Sequence, residues 1–403
     1  MLHNTKTGDK GKWLVFSGWA LLAVLMLCWA GCGAEPKEAA APIKIGAVLD
    51  ITGLAAWLGE PEANIVRMIA DEVNAKGGIK GRKIELIVKD SQADGTRAKN
   101  AVTELLRENV VAIVGPSLSG TSMAVAPICE EEQVPLVSCA ALEQIVLNRK
   151  WVFKTANKDT HAVERILDYM KEHGTKKIAV VSESSAFGDG GKQKLTEMAP
   201  KYGIEIVATE AYGQKDTDIT PQLTKIKALN PEAIVNWSIG PAQSIIMKNA
   251  KTLGIKAQIF QSHGFGNVAY LQAAGDAAEG VIFPCGRALV VEDLPADHPQ
   301  KALLAKVKKD YEAKYKKPLS TFAGHAYDAL WLVLKACEEK GATRKDIRDY
   351  IEDCKGFVGV TGVFNFSPED HTGLQKDSLE MLTVRNAKFA ILQAAKPAAE
   401  PAK

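Results

Sequence analysis

Three hydroxyl-bearing side chains follow an apolar run in the first third of the chain. The run VVAIVG (110–115) has the composition of a buried strand, and the loop after it leads into a helix predicted to begin near Thr121. At the carboxyl edge of a parallel sheet, ligands bind near helix N-termini. The hydroxyl groups of Ser117, Ser119 and Thr121 would suit a carboxylate. The alternative is an ordinary N-cap, which explains one hydroxyl group but does not need three.

Signatures of catalysis are absent from the sequence. It contains no HExxH, no GxGxxG that opens a helix and no Walker-type phosphate loop. The loop at 115–120 differs from a nucleophile elbow because Ser119 stands where that motif requires glycine. No cluster of cysteine and histidine suggests a metal site, and we expect no cofactor. The sequence therefore predicts a binding protein. Catalysis by Ser117 or Ser119 is an alternative that lacks a readable base.

Aromatic side chains occur in other loops that follow predicted strands. These are Trp57, Phe187 in SSAFGDGG and Trp237 in NWSIGP. Any one of them would ordinarily be a core residue. Their shared position beyond strand ends favours the wall of a ligand pocket.

Short apolar runs alternate with amphipathic stretches from residue 43 to about residue 280, which predicts parallel strands joined by helices. More than ten such elements are too many for one small sheet, so we expect an α/β fold with two doubly wound lobes. Beyond residue 280 the pattern becomes helical and then β-rich. The later segments are three predicted helices (299–315, 320–340 and 343–353) and a Gly/Phe-rich β stretch (356–367).

The formal net charge of the 403-residue chain is +2, and residues 1–31 account for it. A basic start followed by an uncharged run at 13–31 is typical of an export signal, and the ending Ala30-Gly31-Cys32 is typical of a lipoprotein. An uncleaved transmembrane anchor is the alternative. The neutral remainder has no basic surface for nucleic acid. We expect a signal peptide at 1–31, a lipid anchor on Cys32 outside the cytoplasm, a tether at 32–42 and a disordered tail at 393–403.

Two of the seven cysteines, Cys337 and Cys354, lie near the ends of successive predicted helices. A disulfide between them and a pair of buried free thiols are both compatible with this spacing.

Several segments together resemble the branched-chain amino acid (Leu/Ile/Val-binding) family of solute-binding proteins that serve ABC importers. The resemblance extends from about residue 43 to residue 390. The segments are IKIGAVLDITG (43–53), VNAKGGIKGRKIEL (73–86), VGPSLSG (114–120), VPLVSCAA (134–141), FGDGG (187–191), AAEGV (277–281), HAYDAL (325–330) and GFVGVTGVFNFSPEDHTG (356–373).

The resemblance implies a type I periplasmic-binding fold, in which two α/β lobes are joined by a hinge of three crossovers and close on the ligand. It puts the crossovers near 154–158, 279–286 and 356–364. The expected hinge glycines are Gly280, Gly286, Gly359 and Gly362. The implied first lobe is 43–155 with 285–357, and the implied second lobe is 156–284 with 358–392.

The resemblance also assigns ligand contacts to particular residues. Ser119 would hold the ligand carboxylate, and Ala140 would offer its carbonyl group. Phe187 in the second lobe and Phe322 in the first would form aromatic walls.

Two positions depart from the pattern of the amino-acid binders. Leu142 replaces a threonine that contacts the ligand, and His263 replaces the glutamate that pairs with the α-ammonium group. A buried ammonium group without an acceptor is costly. An amino-acid ligand would therefore need another acceptor, such as Asp50, Glu183 or a backbone carbonyl group. We expect a monomer that captures a small carboxylate, such as Leu, Ile, Val or a related organic acid, and delivers it to permease subunits in the inner membrane. The alternatives are a binder of aromatic carboxylates that lack an amino group and a ligand-sensing module without transport.

Overall fold

The computed structural model describes residues 41–392. The predicted signal peptide, Cys32, nearly all of the tether and the predicted tail lie outside the described residues. The strands are β1 (Ile43–Leu49), β2 (Ile84–Asp90), β3 (Ile113–Val114), β4 (Leu136–Ser138), β5 (Val152–Lys154), β6 (Lys177–Glu183), β7 (Glu205–Tyr212), β8 (Ala233–Trp237), β9 (Gln258–Gln261), β10 (Ile282–Cys285), β11 (Lys355–Val358), β12 (Val363–Asn365), β13 (Glu380–Arg385) and β14 (Lys388–Ile391).

The α-helices fall between these strands, as the alternating pattern predicts. They are α1 (Ala56–Ala75), α2 (Gly95–Arg107), α3 (Ser119–Glu131), α4 (Asp159–Glu172), α5 (Ala186–Met198), α6 (Thr220–Ala228), α7 (Ala242–Thr252), α8 (Val268–Ala274), α9 (Lys301–Tyr315), α10 (Thr321–Glu339) and α11 (Arg344–Asp353).

Two separate sheets divide the described chain into two lobes. The sheet of the first lobe is parallel throughout, in the order β2-β1-β3-β4-β5. The sheet of the second lobe has the order β14-β13-β10-β9-β8-β6-β7, and its strands from β10 to β7 are parallel. Strands β13 and β14 add an antiparallel edge that the sequence pattern does not predict.

Helices cover both faces of each sheet, which explains why the central strands are apolar along their length. In β1 every residue but Lys44 is buried, and in β6 every residue but Lys177 is buried. The core of the first lobe joins β1 to α1 and α10, while that of the second joins α4 to β6 and β8.

The chain passes between the lobes three times. It first leaves β5 at Lys154 and enters the second core at Ala156. It returns after Cys285, the last residue of β10, and reaches the first core at Ala288. The third passage runs from Leu374 in the first core to Leu379 in the second.

The third passage therefore differs from the predicted one near 356–364. Phe364 and Phe366 are fully buried in the core of the first lobe, so the hairpin of β11 and β12 belongs to that lobe. The first lobe is corrected to 43–155 with 286–374, and the second to 156–285 with 375–392.

Two of the expected hinge glycines consequently lie away from any crossover. A Cβ atom on Gly359 would be 2.5 Å from Oδ1 of Asp328, and one on Gly362 would be 2.7 Å from Leu374. A side chain at either position would collide with these neighbours, which explains why both residues are glycine. Gly280 precedes β10 with φ +75°, within the second lobe, and Gly286 alone of the four lies at a crossover.

The five cysteines of residues 41–392 are all free thiols, so Cys337 and Cys354 are not joined. Within the same residues, no helix has the length and apolar character needed to cross a membrane.

Candidate functional site

The loop between β3 and α3 is held in place by hydrogen bonds to Asp50, the residue that follows β1. The Asp50 carboxylate accepts hydrogen bonds from the Leu118 amide (2.9 Å) and the Thr121 hydroxyl (3.1 Å). The Asp50 amide in turn donates to the hydroxyl oxygen of Ser117 at 3.0 Å. Gly115 has φ +89°, and a Cβ atom there would lie 2.2 Å from the Val48 carbonyl oxygen, so only glycine fits this turn. The loop is thus rigid before any ligand arrives.

This arrangement divides the three predicted hydroxyl groups by role. Ser117 and Thr121 already use theirs on Asp50. Ser119 is the first residue of α3, where helix amides lack partners within the helix. Its side chain lines both of the cavities described next.

A small, deep pocket of about 30 Å³ lies between the lobes. The first lobe contributes Ser119 and the second contributes His263, so neither lobe forms the pocket alone. The other residues that line it are Leu58, Ser117, Leu118, Cys139, Ala140, Ala141, Ala156, Phe187, Ile239, Gly264, Phe322 and His325.

A wider outer cleft of about 340 Å³ adjoins the deep pocket. Ser119 and Phe187 line both cavities, so the two are continuous. Trp57 and Thr121 lie in the outer cleft only. Trp57 packs edge-on against Phe322, with ring centroids 5.3 Å apart.

Two residues that were predicted to contact the ligand do not line either cavity. Trp237 has 0% exposure, and its ring centroid lies 5.9 Å from that of Phe187 and 5.6 Å from that of His263. Leu142 is buried in the core of the first lobe and faces Gly190 of α5. Neither residue lines the cavities between the lobes.

The structure adds His325 to the predicted site residues and places Glu183, one of the alternative acceptors for an ammonium group, in the outer cleft. His325 lines the deep pocket, with Nδ1 at 3.1 Å from the Thr361 hydroxyl. It follows Phe322 by one helical turn, and this spacing could have placed both on one face of α10. Glu183, at the end of β6, lines the outer cleft and accepts hydrogen bonds from the Ser185 hydroxyl (2.6 Å) and the Ile239 amide (3.1 Å). Burial raises the pKa of the Glu183 carboxyl.

The two histidines of the deep pocket are neutral. Burial and the nearby Lys154 ammonium lower the pKa of His263 to about 3, and the same causes lower that of His325 to about 3. Lys154 is fully buried and donates to the carbonyl oxygens of Ala156 (2.6 Å) and Asn157 (3.1 Å). Among residues 41–392, no group of three or more metal-ligating side chains occurs.

Residues 42–387 match the family model described as "Periplasmic binding protein". The chain belongs to this family of periplasmic binding proteins. Its relatives are solute-binding proteins, and this chain is a binding protein and not an enzyme.

Two curated members of the family show the range of similarity. The "Leucine-, isoleucine-, valine-, threonine-, and alanine-binding protein" of Pseudomonas aeruginosa is 25% identical over 311 residues, which cover 76% of this chain and 81% of that protein. The Leu/Ile/Val-binding protein of Escherichia coli K12 is 23% identical over 310 residues, or 75% and 81% of the two chains.

Solved structures of periplasmic binding proteins agree with the type I fold. An extracellular ligand-binding receptor from Rhodopseudomonas palustris HaA2 is 30% identical with a TM-score of 0.81, over 87% of this chain and 99% of that one. The branched-chain amino acid transporter substrate-binding protein of Streptococcus pneumoniae, in complex with isoleucine, is 29% identical with a TM-score of 0.76, over 88% and 100%.

Proposed function

We propose that this chain is the extracytoplasmic solute-binding protein of an ABC importer of the branched-chain amino acid transport family. It captures a small carboxylate by closure of the lobes and delivers it to permease subunits in the inner membrane. The names of the relatives from Pseudomonas and Escherichia support an amino acid such as Leu, Ile or Val as the ligand, or a related organic acid.

The observation that carries this proposal is the shared wall of the deep pocket. Ser119 and Phe322 approach from the first lobe, and Phe187 and His263 approach from the second. A ligand that touches all four joins the lobes, so binding favours the closed arrangement over any open one. The Ser119 hydroxyl and the first amides of α3 are suited to hold the ligand carboxylate.

The N-terminal part of the proposal concerns residues outside the described range. Residues 1–31 serve as the signal peptide, and a lipid on Cys32 holds a monomeric protein at the membrane surface in the periplasm. Cells that express the full chain should carry it in the membrane fraction, and Cys32→Ser should release it to the soluble fraction.

Calorimetric titration tests the binding proposal. The purified full-length chain is titrated with leucine, isoleucine, valine and benzoate, and small-angle scattering follows the radius of gyration. We expect at least one of these carboxylates to bind with a 1:1 stoichiometry and to be taken up by cells only when the cognate permease is present. Absence of binding to all four would refute the proposal.

A further inference from the structure

His263 is a polar side chain that lines the deep pocket without a partner. It begins a 3-10 turn after β9, and its side chain is only 8% exposed. Among the described residues, neither ring nitrogen has a hydrogen-bond partner. Buried polar atoms are nearly always paired, so two free nitrogens on one ring indicate a bond made to a ligand.

The wall of the deep pocket contains no carboxylate side chain among the described residues. The acid that approaches His263 is Asp159, whose Oδ1 lies 3.9 Å from Nε2 of His263, outside the pocket wall. Asp159 has 1% exposure, and its two carboxylate oxygens also lack partners within residues 41–392. His263 thus stands between the pocket and a buried acid.

The charged groups around His263 include a buried cation, Lys154, and a buried acid, Asp159. Burial, with smaller effects from Lys154 of β5, His325 of α10 and His161 of α4, lowers the pKa of His263 to about 3. Burial raises the pKa of Asp159, while Lys154 and Lys194 of α5 oppose that rise and Glu143 of the first lobe reinforces it. Phe187 and Trp237 pack edge-on against the ring of His263 and bring no charge.

Three helix N-termini give the deep pocket a positive bias. Ser119 opens α3, and Phe187 and Phe322 are the second residues of α5 and α10, so each of these helices directs its positive end toward the pocket. An ammonium group in the deep pocket would meet three positive helix ends, and the carboxylate of Glu183 lines only the adjoining outer cleft. A carboxylate alone would fit the bias, but a buried monoanion needs a counter-charge.

We propose that the deep pocket, together with the adjoining outer cleft, takes a carboxylate that lacks an α-ammonium group, and that His263 is the residue that determines this specificity. As the anion enters, the His263 ring takes up one proton from solvent, and the imidazolium then donates to the ligand carboxylate and to Asp159. This inference rests on the proposed binding function and names its substrate class.

A matched pair of ligands tests the substrate class. Leucine and 4-methylpentanoate share a carbon skeleton and differ only in the α-ammonium group. We expect the full-length chain to bind 4-methylpentanoate at least tenfold more tightly than leucine in calorimetry near pH 7. Leucine binding that is equal or tighter would overturn the inference and leave the proposed function standing. Binding to neither ligand and not to benzoate would overturn both.

The proton is counted by repeating the titration in phosphate and in Tris, whose heats of ionisation differ. We expect uptake of up to one proton per 4-methylpentanoate and tighter binding as the pH falls from about 8 to about 6. Binding heats that are identical in the two buffers would overturn the inference, and this measurement needs no variant.

Variants assign the proton to a residue. His263→Gln keeps a hydrogen-bonding side chain but cannot be protonated, so it should abolish the proton uptake and weaken 4-methylpentanoate binding about tenfold. Asp159→Asn should reduce the uptake, because it removes the acid behind the ring. His173→Gln, at an exposed histidine of the second lobe, is the matched control and should keep the uptake. Unchanged uptake in a folded His263→Gln protein would contradict the assignment.

Discussion

The indole ring of Trp57 in the first lobe packs edge-on against the phenol ring of Tyr270 in the second, with centroids 4.9 Å apart and planes at 66°. Beside it, the Asn267 side-chain amide donates to the Trp57 carbonyl oxygen at 3.4 Å. Both contacts join α1 to the start of α8 across the cleft. An opening motion that separates α1 from α8 would break both contacts, so we expect them to contribute to the free energy of closure.

Removing this ring pair should weaken ligand binding. Edge-on aromatic pairs contribute about 0.5–1.5 kcal/mol beyond their buried area, so Trp57→Ala should raise Kd roughly 2- to 12-fold. Trp57 also lines the outer cleft, whereas Tyr270 does not. Tyr270→Leu therefore tests closure alone and should raise Kd as well, while Tyr270→Phe keeps the ring and should not. Calorimetry gives Kd, and equal values for all three variants would exclude a role for the contact.

The two serines of the β3–α3 loop should separate binding from stability. Ser119→Ala should weaken carboxylate binding by about 1–3 kcal/mol and leave the melting temperature nearly unchanged, because Ser119 lines both cavities and we propose that its hydroxyl group binds the ligand. Ser117→Ala removes the acceptor of the buried Asp50 amide and should lower the free energy of unfolding by about 1–3 kcal/mol. Urea denaturation and calorimetry on both variants measure the two effects. The reverse pattern would exchange the roles assigned to the two hydroxyl groups.

His325 should make the ligand-free protein less stable in mild acid. Its pKa is about 3 in the folded chain against 6.5 for an ordinary histidine, because burial and Lys154 disfavour the charged ring. The unfolded state therefore gains protons first, and stability is lost as the pH falls from 6.5 towards 3. Between pH 6.5 and pH 5 this linkage amounts to at most about 2 kcal/mol.

His325→Gln should reduce that acid-induced loss. The free energy of unfolding, measured in urea near pH 7.5 and near pH 5, should differ less for this variant than for the unmodified chain. His173→Gln, at an exposed histidine, should keep the full difference. A variant that loses as much stability as the parent would show that folding does not lower the pKa of His325 and would contradict this prediction.

The amino-acid sequence alone predicts the strands and helices that carry the site, because buried strands and amphipathic helices differ in apolar periodicity. It predicts the order of strand, small-residue loop and helix around Ser119, but it starts the helix near Thr121, whereas α3 begins at Ser119. It does not reveal that Trp237 points behind the wall, because a residue at a strand end can face either side. It also misplaces the third crossover, because the glycines near 356–364 suggest a hinge. In the structure, Phe364 and Phe366 pack this segment into the core of the first lobe.

Substitution by alanine should lower the free energy of unfolding at one of the expected hinge glycines and leave it unchanged at another. The Asp328 carboxylate accepts the amides of Val360 (2.6 Å) and Thr361 (2.7 Å), and it occupies the space beside Gly359. Gly359→Ala should therefore disturb the docking of this segment on α10 and lower the free energy of unfolding by about 1–3 kcal/mol. Urea denaturation measures this loss.

Gly286 is the matched position at a true crossover. It has φ −67°, which any residue adopts, and the nearest atom to an added Cβ would be the Thr361 carbonyl oxygen at 3.8 Å. Gly286→Ala should therefore preserve stability, and it should preserve Kd as well if closure requires no left-handed backbone at this residue. A folded Gly286→Ala protein with weakened binding would mean that Gly286 changes its backbone conformation when the lobes open, as expected of a hinge glycine. A loss of stability as large as that of Gly359→Ala would instead contradict the open space beside Gly286.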